Sequence, residues 1–569
     1  MQRRETTTLN AKSLTPRAQL SAKECIWLLI SMLLGALYIV SAVDPARMDA
    51  DIIVSTLASL KNPTLYYWGQ DRLFSLIPMM LLPFRNIEWN LYLNTFFHAA
   101  FFSALILIIQ QSIDGNRIKT IGTLMATLIV LNYIMPTSEL FTFAKHAQPY
   151  AASTVFMIAA FWIDSRLTRP ENWKKQIAIC TVIAIVSLLL NPLTLLFGLG
   201  LLLPRSITYP KLHLSAFQDR DGITNLRWLA ILFSAFLVAV ISKYFYSQSY
   251  DITRTTLGVN ISYFTPALRI TVERLIESFD RNYFAMCAAA LGFLTCLYTC
   301  LSRLSDFIYN ILTEEVLSPK QTAETVASIP LYDAIACAAI VNLLTLIPIL
   351  SSEWYRLNDY SLRYIFPVYL VIIIGLCRII NFIFSLLLVN SMLSSNIHSA
   401  RGIRNVGTYM ALTSCIVAIL ISSFRPIAPS LLTYKEFSRV QPAYRDLLNS
   451  VQVTDNTFIG GSYWLSWPFK ALGLSEGYDI GVITDRSRFD PISRQREDIL
   501  DDHIRKGEGF TFICLSEGQG ISNCESFLKD KIQSISGNFR DWEQNVEGKP
   551  ITYLIYGEMR STEMRYESS

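Results

Sequence analysis

Long apolar runs separated by short polar breaks fill the chain from residue 25 to residue 424 and then stop. A helix needs about 20 apolar residues to cross a bilayer, fewer where an interface or neighbouring protein completes it. On that measure spans are predicted at 25–43, 89–111, 118–136, 147–164, 176–190, 192–204, 228–246, 283–301, 333–350, 364–389 and 406–424. Asn191-Pro192 is a turn signal that splits 176–204 into two helices by a tight re-entry. The stretch 73–84 is too short and too Pro-flanked to cross, and reads as an interfacial helix. From Thr433 the pattern becomes that of a globular domain. A helix is predicted over 434–451, strands over 457–460 and 509–515, a helix over 525–535, and an alternating strand over Ile551–Tyr556. The expected fold is an α-helical polytopic membrane protein of about 11 transmembrane helices with a C-terminal α/β domain. Its parts are an N-terminal segment 1–24, a transmembrane module 25–432 with a first outer loop 44–88, and a soluble domain 433–569.

Composition agrees with a membrane class. Of 569 residues 52% are hydrophobic and only 17% charged, where a soluble chain carries more charge. The net charge of +4 is spread among loops rather than gathered on one face, which argues against a nucleic-acid partner. Eight of the ten cysteines lie in or beside apolar runs, where Cys acts as a small hydrophobe, and their spacing matches no metal motif. Cys514 and Cys524 stand in the polar domain, either as a disulfide or as two thiols according to compartment. The first apolar run follows Arg3, Arg4, Lys12, Arg17 and Lys23 and is long for a signal peptide; an uncleaved helix is expected.

Charge also orients the chain. With the N-terminus inside, the basic head, Arg117 and Lys119, Arg166 to Lys175, the 205–227 and 303–320 loops, and Arg401 and Arg404 share the cytoplasmic side. That side holds the Lys and Arg excess. The C-terminal domain is then extracytoplasmic. The outer loops still carry more cations than the rule favours, so some face inward or serve to bind an anion.

Three stretches of the outer loops could carry chemistry. Asp44, Asp49 and Asp51 precede a predicted helix over 52–60, and capping accounts for one of them. The Asp49-Ala50-Asp51 pair runs straight into Ile52-Ile53-Val54, against apolar surface, where a carboxylate becomes a better general base. Two carboxylates at that spacing also share a divalent cation. Lys145 and His146 follow Glu139; snorkelling and loop solvation account for them, and a phosphate site at a helix start is the functional alternative. Arg356 and Arg363 lie seven residues apart within 351–364, on one face if helical, and two guanidiniums suit a phosphate or pyrophosphate. Trp354 and Tyr355 read as an interfacial belt. Arg378, inside span 364–389, must face the bundle or reach the inner headgroups.

An inside N-terminus, one span and an outer loop that opens with acids and a helix resemble the GT-C superfamily of membrane glycosyltransferases. Met48-Asp49-Ala50-Asp51-Ile52-Ile53 stands where that family keeps its essential acid. Tyr67-Trp68-Gly69-Gln70-Asp71-Arg72, with Leu76-Ile77-Pro78 shortly after it, resembles a stretch of its bacterial members, and Arg363-Tyr364-Ile365-Phe366-Pro367 resembles the start of a later span. Gly461-Ser462-Tyr463-Trp464-Leu465-Ser466-Trp467-Pro468 is similar to a segment of their soluble domain. The chain departs from the oligosaccharyltransferase pattern in lacking a second acidic pair in a later outer loop, and from protein mannosyltransferases in lacking Asp-Glu in the first. The resemblance implies a multi-pass plasma (inner) membrane enzyme moving a sugar from a polyprenyl-phosphate donor to a glycan, lipid or protein acceptor, with inversion and without metal or cofactor. Asp49 or Asp51 would be the base. Lys145, His146, Arg356 and Arg363, with Tyr67, Trp68, Gln70, Asp71 and Arg72, would bind substrate. The rival is a lipid-linked-sugar flippase or transporter, which calls for half-repeats and ionisable groups near the midplane. No repeat is visible in the sequence, and Arg378 is the one cation it places deep in a span. A third reading is a receptor or assembly protein that keeps the fold without the chemistry.

Overall fold

The computed structural model describes residues 22–42, 50–60, 65–66, 74–113, 117–135, 137–145, 149–165, 173–204, 220–249, 260–279, 282–312, 331–357, 359–394, 448, 453, 456–461, 463–484, 491–516, 521–537 and 551–556. The expected span 406–424 and, apart from Leu448, the expected helix 434–451 lie outside them.

The apolar runs form the helices they predict. They are α1 (Ala22–Ala42), α4 (Ile87–Ile113), α5 (Arg117–Ile134), α7 (Tyr150–Ser165), α8 (Trp173–Leu190), α10 (Arg220–Ser249), α12 (Tyr283–Leu312), α13 (Leu331–Asn342) and α16 (Phe366–Ser394). A 3₁₀ turn at Leu343–Thr345 joins α13 to the short α14 (Leu346–Leu350). Among the described residues, five helical stretches are long and apolar enough to cross a membrane: Trp89–Ile113, Asn225–Tyr246, Tyr283–Ser305, Leu331–Leu350 and Phe366–Leu386. The protein is therefore mostly helical, with a bilayer as its environment.

One expected span is corrected. Asn191-Pro192 does end α8, but the next helix is the seven-residue α9 (Thr194–Gly200). At 1.5 Å per residue it covers about 10 Å, a third of the hydrocarbon. It is packed inside the bundle, where a Cβ on Gly198 would meet the Leu232 side chain and one on Gly200 the Ala338 backbone. Two of the long helices also meet at glycines: a Cβ on Gly375 of α16 would collide with the Gly292 backbone of α12. Small residues at helix crossings are what packing in lipid favours, because no hydrophobic force draws the helices together there.

Short helices decorate one end of the bundle: α2 (Ala50–Leu60), α3 (Leu76–Met80), α6 (Thr137–Ala144), α11 (Phe264–Ser278) and α15 (Glu353–Leu357). The interfacial helix expected over 73–84 is the five-residue α3 and a turn after it.

The C-terminal domain is a four-stranded, all-parallel sheet in the order β2-β1-β3-β4. The strands are β1 (Thr457–Gly461), β2 (Gly481–Thr484), β3 (Thr511–Ser516) and β4 (Ile551–Tyr556). Helices α17 (Tyr463–Ser475), α18 (Pro491–Lys506) and α19 (Ile521–Ser536) form the crossovers that parallel strands require. Phe458, Ile459, Phe512 and Ile513 on the central strands are buried, as expected of strands covered on both faces. Cys514 of β3 is disulfide-bonded. The end of β1 presses on β3 so closely that a Cβ on Gly461 (φ 102°) would collide with the Leu515 carbonyl; only glycine suits both that contact and that φ. The domain is not separate from the bundle. Helix α17 packs along α2, and Trp467, Phe469 and Leu472 join Ile52, Ile53 and Leu57 in one continuous core.

Candidate functional site

Helix α2 is where bundle and sheet domain meet, and Asp51 lies in its first turn, the position where the helix dipole favours a carboxylate. Beyond it every residue from Ile52 to Ser59 is buried. Two asparagines one turn apart on α4 hold α2 in register. Asn94 Nδ2 lies 3.1 Å from Ser55 Oγ, 3.2 Å from Thr56 Oγ1 and 3.4 Å from the Ile52 carbonyl. Asn90 Nδ2 donates to Ser59 Oγ at 2.7 Å and to the Phe84 carbonyl at 3.2 Å.

The structure brings Arg363 to Asp51. Arg363 Nη1 stands 3.6 Å from Asp51 Oδ2, with the two side chains only 18% and 17% exposed, so the charges interact with little water between or around them. Arg363 sits in a 3₁₀ turn, Leu362–Tyr364. Its Nη2 donates to the Tyr364 hydroxyl at 2.8 Å, and its guanidinium lies 4.9 Å from the Tyr364 ring centroid. Burial works against the Arg363 charge, but Tyr364, Asp51 and Tyr150 outweigh it and raise the pKa above its ordinary value. The guanidinium is a permanent cation. Beneath it an aromatic floor forms, with the Tyr150 and Phe366 rings stacked at 5.3 Å and Phe143 4.8 Å from Tyr369. The fixed cation can neutralise an anion that approaches the sheltered carboxylate.

The loop that carries Arg363 is strained. Asp359 and Tyr360 are consecutive non-glycine residues with φ of 51° and 49°. Each costs on the order of 1 kcal/mol or more and persists only when its surroundings hold it. Arg274 of α11 supplies that hold, donating through Nη2 to Asp359 Oδ1 at 2.9 Å and through Nη1 to the Asp359 carbonyl. Tyr355 adds its hydroxyl, donated to the Tyr360 carbonyl at 3.2 Å. Burial pushes the Tyr355 phenol up in pKa, so the proton it donates stays in place.

The same turn corrects the expected pairing of Arg356 with Arg363. Helix α15 stops at Leu357 and the chain reverses at Asp359-Tyr360, so the two arginines do not share a helical face. Arg356 pairs instead with Glu353 at 3.2 Å and lies 5.1 Å over the Tyr263 ring. Lys145 is buried, and its Nζ donates to the Val40 carbonyl in the last turns of α1 at 3.2 Å. A cation at a helix C-terminus is favourable there, so Lys145 has a structural duty. Arg378 is exposed and lies 5.2 Å over the ring of the buried Tyr332.

Asp49, Tyr67, Trp68, Gln70, Asp71, Arg72 and His146 lie outside the described residues. The residues that bracket 67–73 are in view. Tyr66 and Phe74 form an antiparallel bridge, Tyr66 donates its hydroxyl to Ser242 Oγ at 3.0 Å, and the Phe74 amide donates to the Leu189 carbonyl at 3.1 Å. Among the described residues no three His, Cys, Asp or Glu side chains converge as metal ligands. Sequence reasoning missed Asn90, Asn94, Tyr150, Tyr364 and Arg274. It also missed Lys470, which is wholly buried on α17 beside Trp467, 5.8 Å from that ring. The signal available for the asparagines was their spacing of four within an apolar run, which sets them on one helix face.

No protein-family model matches the chain, and no curated protein matches it. Fold and site together define a mostly helical membrane protein with a small parallel-sheet domain, whose junction carries a sheltered acid beside an arginine.

Proposed function

We propose that the protein is a membrane glycosyltransferase that moves a sugar from a polyprenyl-phosphate carrier to an acceptor hydroxyl on the extracytoplasmic side. The observation that carries this reading is the meeting of Asp51 and Arg363 at 3.6 Å, in a sheltered spot against the bundle. Asp51, or Asp49 two residues earlier, takes the acceptor's proton. The acceptor oxygen attacks the anomeric carbon as the bond from that carbon to the phosphate oxygen breaks, with inversion. The carrier phosphate leaves with the bonding electron pair and needs no proton, so one base suffices. Its charge is met by Arg363, whose planar donors match a phosphate. A phosphate competes with Asp51 for the guanidinium and leaves the carboxylate to act as base. The disulfide at Cys514 supports the side assigned, because such bonds persist in oxidising compartments.

The test is turnover of a radiolabelled polyprenyl-phosphate sugar by membranes holding Asp49→Asn, Asp51→Asn or Arg363→Met protein. One aspartate variant should abolish transfer, and Arg363→Met should lower it about 100- to 1,000-fold, the usual cost of losing a donor to developing charge. Full activity in both aspartate variants overturns the mechanism. Flipping of the intact donor without transfer supports the transporter reading instead.

A further inference from the structure

Helix α11 is too short to cross a bilayer, and it carries Arg269, Glu273, Arg274 and Glu277 within fifteen residues. Its two faces differ. Ala267 and Thr271 are buried, and the Thr271 and Tyr355 hydroxyls lie 2.8 Å apart. On another face Leu268, Val272 and Ile276, spaced by four, form a stripe that is 40%, 46% and 50% exposed, and Ile261 just before the helix is 70% exposed. No part of the described chain covers that stripe. Five residues after Ser278 the chain enters α12, a spanning helix whose Tyr283, Phe284 and Leu291 are 75%, 67% and 57% exposed, as befits a lipid-facing surface. The stripe thus precedes that surface in the chain by one short link. Arg269 and Glu273 pair with each other at 2.9 Å along its flank, the arrangement of a helix with one side in water.

We propose that α11 lies flat in the headgroup and acyl boundary of the leaflet on the sheet-domain side, with Leu268, Val272 and Ile276 seated in the lipid. The occupant of the stripe is the bilayer itself, since an amphipathic helix buries its apolar face to that depth without crossing. The opposite face of α11 holds the strained loop through Arg274 and Asp359, and that loop carries Arg363. The membrane surface is thereby one wall of the frame that places the arginine.

The test uses full-length protein in native membranes, with the photoreactive residue p-benzoylphenylalanine placed singly at 268, 272 and 276, and at 269 and 273 as controls. All five positions are exposed, so the replacements leave the core intact. Irradiation and then mass spectrometry of the labelled peptide should find phospholipid adducts at the three stripe positions at least ten-fold above the controls. Cross-links from the stripe to a second copy or to another protein overturn the proposal. So do lipid adducts no more frequent at the stripe than at the controls. Neither outcome depends on whether the protein transfers a sugar.

Discussion

The two ends of the helical bundle differ in how closely their sheltered charges meet: at the sheet-domain end the exposed Arg274–Asp359 pair closes at 2.9 Å, but the sheltered Asp51–Arg363 pair does not. At the end away from the sheet domain three cations among the described residues make short contacts. Arg227 Nε meets the fully buried Asp164 at 2.6 Å, Arg303 Nε meets Asp333 at 2.7 Å, and Lys119 Nζ is bound by Asn381 and Ser385 at 2.9 and 2.6 Å. These are short, charge-assisted contacts, stronger than hydrogen bonds between neutral groups. At the sheet-domain end Asp51 and Arg363 approach only to 3.6 Å, outside hydrogen-bond range, with Arg363 already donating to Tyr364. The difference separates pairs that join helices by short contacts from the longer pair on which the proposed function rests.

The largest expected effect would break that comparison directly. Asp164→Ala leaves the half-buried Arg227 without its short contact and should cost about 3 kcal/mol of stability, while turnover per folded molecule stays near the native value. Asp51→Ala should cost less, because its contact with Arg363 is longer, at 3.6 Å, while transfer falls most. Thermal unfolding of the purified protein beside the transfer assay reads both. Should Asp51→Ala unfold the protein as readily as Asp164→Ala, Asp51 is structural and the contrast between the ends is lost.

Spanning helices were legible in the sequence because a bilayer demands length and apolarity together, and 283–301 maps onto α12 on those grounds. The same measure misread 192–204, because a short helix buried in a bundle is as apolar all round as a spanning one. The parallel sheet was half legible. Strands β1, β3 and β4 stood out as apolar runs, whereas β2 has only four residues and α18 is polar along most of its length. Asp51 and Arg363 were each legible as candidates, yet their meeting was not, since it depends on how α2 and α16 pack. Arg356 was misplaced because the reversal at Asp359-Tyr360 rests on tertiary contacts from Arg274, not on a glycine or proline.

A middle-sized effect bears on how Asp51 is held. Asn94→Leu keeps the bulk but leaves Ser55 and Thr56 without the amide that ties α2 to α4, at a cost of about 1–3 kcal/mol. If Asn94 positions Asp51, kcat for transfer drops while KM for the donor, set by Arg363, changes little. A rise in KM with kcat untouched would mean that α2 shapes donor binding instead.

The smallest expected effect lies in the sheet domain, outside the bundle. Lys531 of α19 meets Glu497 at 2.6 Å and Asp501 at 2.9 Å, both on α18. Burial works to lower the Lys531 pKa, and the two carboxylates outweigh it, so the folded value lies above the ordinary one. A raised folded pKa stabilises fully below the unfolded value of about 10.4 and is lost as pH climbs through the folded one. Lys531→Met should therefore cost about 0.5–1 kcal/mol at pH 8, and the gap from native should close above about pH 10.4. The gap should also shrink in high salt, as for any charge cluster within reach of solvent, whereas the cost of Asp164→Ala in the largely buried pair should hardly move. A Lys531→Met gap that is constant in pH and in salt would mean that the side chain acts through its packing on Phe527, 6.0 Å away, and not through its charge.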